Sequence, residues 1–90
     1  MLQQFNPRNA NILVHVGGTL VPRDQARVSV FDSSVQGGDA VWEGLRVYRN
    51  GIFCLDRHLA RLEASAHALA FAKVPTKTEI KKAIFETLEA

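Results

Sequence analysis

Two groups of residues have types and spacing suited to binding a small molecule. The first comprises Trp42, Gly44 and Arg46, which alternate along an apolar-rich segment and would share one face of a strand. Glycine weakens a strand unless something approaches the backbone closely there. A gap beside Gly44, walled by the Trp42 ring and the Arg46 guanidinium, suits a small anionic or planar ligand. The alternative, which spacing alone favours, is that another subunit or the N-terminal segment covers this face.

The second group comprises Arg57, His58 and Arg61, at the start of a predicted helix. Basic residues have the wrong sign for the positive end of a helix dipole. Arg57 and Arg61 are also an i,i+4 like-charge pair, which destabilises a helix by roughly 0.2–0.5 kcal/mol. A bound phosphate would remove both penalties, because arginine suits phosphate geometry. The alternative, favoured on the sequence alone, is a solvated polar face with Glu63 nearby.

Other candidate motifs are weaker. The stretch Gln36-Gly37-Gly38-Asp39 lacks the phosphate-loop pattern and precedes a strand, so it predicts a flexible turn. The histidines are not spaced as a ligand set and Cys54 has no companion, so the sequence predicts no metal site.

Length and composition set the class of protein. The chain has 90 residues, 47% of them apolar and 22% charged, which indicates a single small domain. A net charge of +2 is too small to indicate binding to nucleic acid or to a membrane surface. The single cysteine favours a reducing compartment. Since no leader or membrane-spanning run is recognisable, we expect a cytoplasmic protein without an anchor.

The elements that must position these residues are two hairpins and two helices. The first hairpin is predicted around Gly17-Gly18. The second joins a strand over Val41–Tyr48, through a type I′ turn at Asn50-Gly51, to a returning strand over Ile52–Leu55. On the first strand, Val41, Leu45 and Val47 form the natural core side.

The helices follow directly. One is predicted to begin at Asp56 as the N-cap and to end at Pro75. The other begins with the capping box Thr76–Glu79 and has no stop signal before the sequence ends. We therefore expect an α+β fold in which two α-helices pack on an antiparallel sheet built from hairpins. Residues 1–11 would form an N-terminal arm and residues 12–90 the domain.

The order of several short motifs resembles one enzyme family. The motifs are the run from Asp39 to Tyr48, the pair Asn50-Gly51 with Phe53, and a His58-x-x-Arg61-Leu62 element followed by Ser65-Ala66. Together they resemble the class IV aminotransferases, the fold-type IV pyridoxal phosphate enzymes. Their members include branched-chain and D-amino-acid aminotransferases and aminodeoxychorismate lyase. The resemblance extends from about Ile12 to Leu88 and covers only the small N-terminal domain of that family.

The resemblance implies roles for particular residues. Arg61 matches the arginine that binds the cofactor phosphate, and His58, which opens the same motif, would help to fix the helix. Trp42 occupies a position where the family has Phe or Tyr lining the substrate pocket, with Gly44 and Arg46 beside it. Gly37 departs from the pattern, since many members have an aromatic residue there, and this implies a wider or differently shaped pocket.

The resemblance also implies what these 90 residues lack. Transamination needs a lysine that forms a Schiff base and a carboxylate that keeps the pyridine nitrogen protonated, and both lie in the larger domain of the family. None of the lysines here matches that position: Lys73, Lys77, Lys81 and Lys82. We therefore expect no catalytic residue in this chain and no activity from it alone.

The implied protein is a homodimeric, pyridoxal-phosphate-dependent aminotransferase. It would transfer an amino group between a branched-chain-like amino acid and a 2-oxo acid. Two alternatives remain: a lyase of the aminodeoxychorismate type on the same scaffold, and a non-catalytic domain that binds a partner protein through the Trp42 and Arg46 face.

Overall fold

The computed structural model describes residues 4–90, so the first three residues of the predicted arm lie outside the described residues. The elements divide between two compact units, residues 4–29 with 78–90 and residues 30–77. The arrangement of small antiparallel sheets and helices confirms the predicted α+β class. The expected single sheet is replaced by two separate two-stranded sheets in the part of the chain that is described.

The first unit contains the predicted N-terminal hairpin. Strands β1 (Leu13–Val16) and β2 (Thr19–Pro22) pair antiparallel, with Val16 opposite Thr19. Gly17 and Gly18 both have positive φ, at 59° and 91°, as a tight two-residue hairpin turn requires. The helix over Lys77–Glu89 begins directly after Thr76, where the capping box predicts its start.

The second unit begins with the short helix α1 (Ser33–Gln36). Its N-cap Asp32 accepts hydrogen bonds from the Ser34 backbone N–H at 2.8 Å and from the Ser34 hydroxyl at 2.7 Å. These two bonds hold the pKa of Asp32 below its ordinary value. Gly37 follows as the C-cap residue, so the predicted turn at Gly37-Gly38 ends a helical turn.

The second hairpin is shorter than predicted. Strands β3 (Val47–Tyr48) and β4 (Gly51–Ile52) pair antiparallel, and residues 41–46 are not in a strand. The prediction of a strand over Val41–Tyr48 is therefore wrong for its first six residues. The reason is that a strand needs a neighbouring strand to pair with, and within residues 4–90 this segment pairs with none, although the Arg46 carbonyl accepts one bond from the Phe53 N–H.

The predicted type I′ turn at Asn50-Gly51 is also wrong. Tyr48 pairs with Gly51, so the two turn residues are Arg49 and Asn50, and neither has positive φ. Gly51 instead adopts φ 132°, a conformation that glycine takes without a steric penalty. In this hairpin a positive φ therefore occurs at Gly51, directly after the turn, and not at the two turn residues.

Helix α2 (Leu55–Ala68) lies in the second unit and α3 is the helix over Lys77–Glu89. Cys54, with φ 52°, is the N-cap of α2, so the assignment of Asp56 as the N-cap was wrong; Asp56 lies in the first turn. The helix ends before Pro75, because Ala70 adopts φ 56° and a Schellman motif forms: the Phe71 N–H donates to the Ala66 carbonyl at 3.1 Å. Leu59 and Ala66 are the buried apolar residues of α2.

Candidate functional site

The second unit brings a carboxylate from the segment before β3 onto the first turns of α2. Glu43 Oε1 lies 2.6 Å from Arg61 Nη2 and 2.6 Å from His58 Nδ1, and Glu43 Oε2 accepts from Arg61 Nε at 2.8 Å. Arg61 therefore binds the carboxylate through two parallel N–H donors, the strongest geometry for this pair. We call Glu43, His58 and Arg61 the ionic cluster.

Backbone alternation explains why Glu43 points to the helix. Residues 41–46 keep the alternating exposure of an extended chain: Val41, Glu43 and Leu45 are half-buried, and the residues between them are exposed. The hairpin that follows is extended by a bond from the Phe53 N–H to the Arg46 carbonyl at 2.9 Å. Helix α2 begins two residues later and presents His58 and Arg61, three positions apart, on one face.

The electrostatics of the cluster are dominated by Arg61. Hydrogen bonds from Arg61 first, and from His58 second, lower the pKa of Glu43 from 4.5 to about 2. The same contact with Glu43 raises the pKa of Arg61. Glu43 is thus an ionised carboxylate that only accepts hydrogen bonds. His58 Nδ1 must then be the donor in its 2.6 Å contact with Glu43, which fixes the orientation of the ring.

Exposure differs sharply within the cluster. The Glu43 side chain is 9% exposed and the His58 side chain 18%, whereas the Arg61 side chain is 67% exposed. The two bonds from Arg61 to Glu43 use Nε and Nη2 and leave Nη1 uninvolved in that contact. A guanidinium has five N–H donors in a rigid fork, so Arg61 can hold the carboxylate and an anion from solvent together.

The sequence pattern indicates the two basic residues of this cluster, His58 and Arg61, but the acid Glu43 was not predicted. The excess of positive charge at the start of α2 is compensated at Arg61 by Glu43, rather than by Glu63 or by a bound anion alone. The signal was present: a glutamate between Val41 and Leu45 lies on the predicted core side, and acidic residues on such a face are rarely unpaired. Arg57, one turn before Arg61, remains exposed.

The predicted substrate face lies on the opposite side of residues 41–46. Trp42 is 83% exposed, and Gly44 and Arg46 are exposed as well. A Cβ atom at Gly44 would lie 3.4 Å from Cζ3 of Trp42, so the indole ring approaches the glycine backbone. The close approach expected at Gly44 is therefore made by Trp42 itself. Arg46 shares the exposed side of this segment, which we call the outer face (Trp42, Gly44, Arg46).

Two other features of residues 4–90 bear on the class of site. No three or more His, Cys, Asp or Glu residues among them are placed to hold a metal ion. None of the helices in this range is long and apolar enough to cross a membrane.

Comparisons with known proteins match the part of the chain that contains the ionic cluster and the outer face to one family. The sequence model of the family described as amino-transferase class IV matches residues 40–90, which include the ionic cluster and the outer face. The chain belongs to this family. This confirms the resemblance identified from the order of the sequence motifs.

Similar proteins carry branched-chain and D-alanine aminotransferase names. The chain is 62% identical over 82 residues to branched-chain-amino-acid aminotransferase-like protein 2 of Arabidopsis thaliana, covering 91% of this chain and 15% of that protein. It is 60% identical, with the same coverage, to the like-named protein 1 of that plant. It is 35% identical over 71 residues to a D-alanine aminotransferase of Bacillus licheniformis, covering 74% of this chain and 25% of that enzyme. The chain thus spans a quarter or less of the length of these relatives.

Proposed function

We propose that this chain is the N-terminal portion of a pyridoxal-phosphate-dependent aminotransferase. The complete protein would transfer an amino group between an amino acid with a branched apolar side chain and a 2-oxo acid. The observation that carries the proposal is Arg61: an exposed guanidinium, held by a nearly buried carboxylate, in a chain that belongs to the class IV aminotransferase family. The names of the two Arabidopsis thaliana relatives support the branched-chain substrate class.

The residues present fit the phosphate of this cofactor. Arg61 has donors beyond the two that bind Glu43, and its side chain is 67% exposed. Glu43 binds the guanidinium from the protein side and is itself held by His58, while most of the Arg61 side chain is exposed to solvent. Pyridoxal phosphate supplies the electron sink that amino-group transfer requires. This chain contributes anion binding and orientation to that chemistry.

The outer face fits a role in binding the substrate. Trp42 supplies an exposed apolar ring and Arg46 a cation, a combination suited to an amino acid with an apolar side chain and a carboxylate. The indole ring lies beside Gly44, where an added Cβ atom would be in ordinary contact with it at 3.4 Å. An exposed face needs further walls to exclude water, and we infer that the rest of the protein and a second copy in a homodimer provide them.

The Schiff-base lysine and the carboxylate at the pyridine nitrogen belong, in this proposal, outside these residues. The lysines in the chain follow α2: Lys73, Lys77, Lys81 and Lys82. We infer that the 90 residues alone are inactive. The free thiol of Cys54 fits a reducing compartment, which supports a cytoplasmic location.

The decisive experiment replaces Arg61. Spectral titration of the complete protein, prepared without cofactor, gives the Kd for pyridoxal 5′-phosphate and for pyridoxal, which lacks the phosphate. Arg61→Ala is expected to raise the Kd for the phosphorylated form by about 10- to 100-fold, the value of a charge-assisted hydrogen bond, with little change for pyridoxal. Arg57→Ala, an exposed arginine one turn earlier, is the matched control and is expected to retain the preference.

Three results would contradict the proposal. A wild-type protein that binds neither compound would favour the partner-binding alternative, and equal loss of both compounds in Arg61→Ala would exclude a phosphate role for this residue. Borohydride reduction of the loaded protein, followed by peptide mapping, is expected to label a lysine outside these residues; label on one of the four above would overturn that assignment. Product analysis with the L- and D-forms of leucine, valine and alanine plus 2-oxoglutarate, against 4-amino-4-deoxychorismate, separates transfer from lyase activity.

A further inference from the structure

The side chain that holds Arg61 lies 18 positions earlier in the sequence. Arginine has a long side chain with much rotamer freedom, and an exposed arginine loses that freedom when it binds an anion. Arg61 is two-thirds exposed, yet two of its nitrogens are fixed by bonds of 2.6 and 2.8 Å to one carboxylate. Part of the ordering that anion binding demands has therefore already occurred in the folded chain.

The carboxylate is itself held in place. Glu43 lies on the half-buried side of residues 41–46, and only 9% of its side chain is exposed. His58 donates a separate hydrogen bond to Oε1, so the carboxylate keeps its position even as Arg61 engages a second anion. A pKa of about 2 keeps Glu43 ionised at any pH at which an aminotransferase would work.

We propose that Glu43 is a positioning residue for the phosphate of the cofactor: it fixes the Arg61 guanidinium in the orientation that binds the phosphate, with His58 as its second support. This inference rests on the proposed function, because it assigns Glu43 a role in the same site. Glu43 does not touch the phosphate. It acts through Arg61 alone.

Charge and orientation make opposite predictions for the loss of this carboxylate. If Glu43 acted mainly as a negative charge beside an anion site, its removal would strengthen phosphate binding. If it positions Arg61, its removal weakens phosphate binding, because the guanidinium must then be ordered by the ligand. The positioning effect dominates, because the carboxylate charge is already compensated by the Arg61 guanidinium and the His58 donor within 2.8 Å.

The test is a double-mutant cycle on the complete protein, prepared without cofactor. Its readout is the ratio of the Kd values for pyridoxal and pyridoxal 5′-phosphate, which isolates the phosphate contribution from effects on the ring. Glu43→Gln is expected to lower this ratio about tenfold in the wild-type background. In the Arg61→Ala background the same change is expected to leave the ratio unaltered. Glu63→Gln, an exposed glutamate on α2, is the control and should not change it.

A second variant separates the charge of the carboxylate from its position. Glu43→Asp keeps the charge but shortens the side chain by one methylene, and it is expected to lower the ratio of the two Kd values as well. Circular dichroism and the urea midpoint verify that each variant is folded, and the Kd for pyridoxal alone reports general damage to the site.

The outcomes separate the two proposals. An Arg61→Ala protein that loses the phosphate preference, combined with a Glu43→Gln protein that keeps or increases it, overturns the positioning role and leaves the proposed function intact. A Glu43→Asp protein that keeps the full preference also overturns it, because charge would then suffice. An Arg61→Ala protein that keeps the preference removes the proposed phosphate site and the inference with it.

Discussion

The six residues from Val41 to Arg46 present two faces with opposite properties. On the inner side, Glu43 is nearly buried and holds three hydrogen-bond contacts of 2.6–2.8 Å to α2. On the outer face, the side chains of Trp42 and Arg46 are exposed, and the indole ring of Trp42 lies near Gly44. Both faces come from one stretch of extended chain, in which successive side chains point in opposite directions.

The difference indicates that the two sides of this segment suit different kinds of bound group. The inner side joins the segment to α2 and orders an arginine, which suits a group that must be bound in one orientation. The outer face exposes the apolar ring of Trp42 and the cation of Arg46 to solvent, which suits a group that exchanges. Within the proposed enzyme, these properties correspond to a resident cofactor and to a substrate that enters and leaves.

The largest effect on stability is expected from a substitution in the buried face of α2, the helix that Glu43 contacts. Leu59 lies between His58 and Arg61 in the sequence of α2 and is 3% exposed. Leu59→Ala removes buried methyl groups and leaves a cavity, and it is expected to lower the free energy of unfolding by about 2–4 kcal/mol. Leu69→Ala, at the exposed end of the same helix, is the control and should cost well below this. Equal urea midpoints for the two variants would contradict the assignment of Leu59 to the core.

A smaller effect is expected from the acid limb of the stability profile. Because folding lowers the pKa of Glu43 from 4.5 to about 2, its contribution is fully present above pH 4.5 and is lost as the pH falls toward 2. The urea midpoint of the wild type should therefore fall more steeply across this window than that of Glu43→Gln. Asp32, whose pKa is also lowered, contributes equally to both proteins and cancels in the difference. Parallel profiles for the two proteins would show that Glu43 is not paired in solution.

The smallest change in stability is expected on the outer face. Trp42→Ala removes a side chain that is 83% exposed, so the free energy of unfolding should change by no more than about 0.5 kcal/mol. The KM for amino acid substrates should rise, and the Kd for pyridoxal 5′-phosphate should stay constant. Tyr48→Ala is the contrasting variant, since that ring makes an edge contact with Phe53 at 6.3 Å and its loss should destabilise the fold more. A larger loss of stability for Trp42→Ala would show that the outer face is structural.

Local chemistry in the sequence predicted some of the elements that depend on nearby residues, although the type I′ turn at Asn50-Gly51, which is equally local, was wrong. The Gly17-Gly18 hairpin and the start of α3 after Thr76 were both predicted, because each is specified within a few positions. The strand over Val41–Tyr48 failed, because pairing depends on a partner that the sequence does not name. The N-cap of α2 failed because Cys54 adopts a left-handed conformation that is uncommon for a residue with a side chain.

The sequence predicted only part of the candidate site. Alternation correctly placed Trp42, Gly44 and Arg46 on the exposed side and Val41 and Leu45 on the half-buried side, although the segment is not a regular strand. It was wrong for Val47, which was assigned to the core side and is 54% exposed. The surplus positive charge at the start of α2 predicted a bound anion or a solvated polar face, whereas the structure pairs Arg61 with Glu43. The core-side position of Glu43 indicates that this acid is paired, but its partners on α2 could not be identified, since neither residue spacing nor propensity describes a contact that joins two elements across a hairpin.

The β3–β4 hairpin has a consequence for the order of folding. It returns the chain so that Glu43 meets residues only 15 and 18 positions later. Closing so short a loop costs little conformational entropy, and hairpins form within about 1–10 μs. The carboxylate and its arginine can therefore meet before any contact between distant parts of the sequence is made. We expect the ionic cluster to form early on the folding pathway, as a local template to which slower, long-range packing is added.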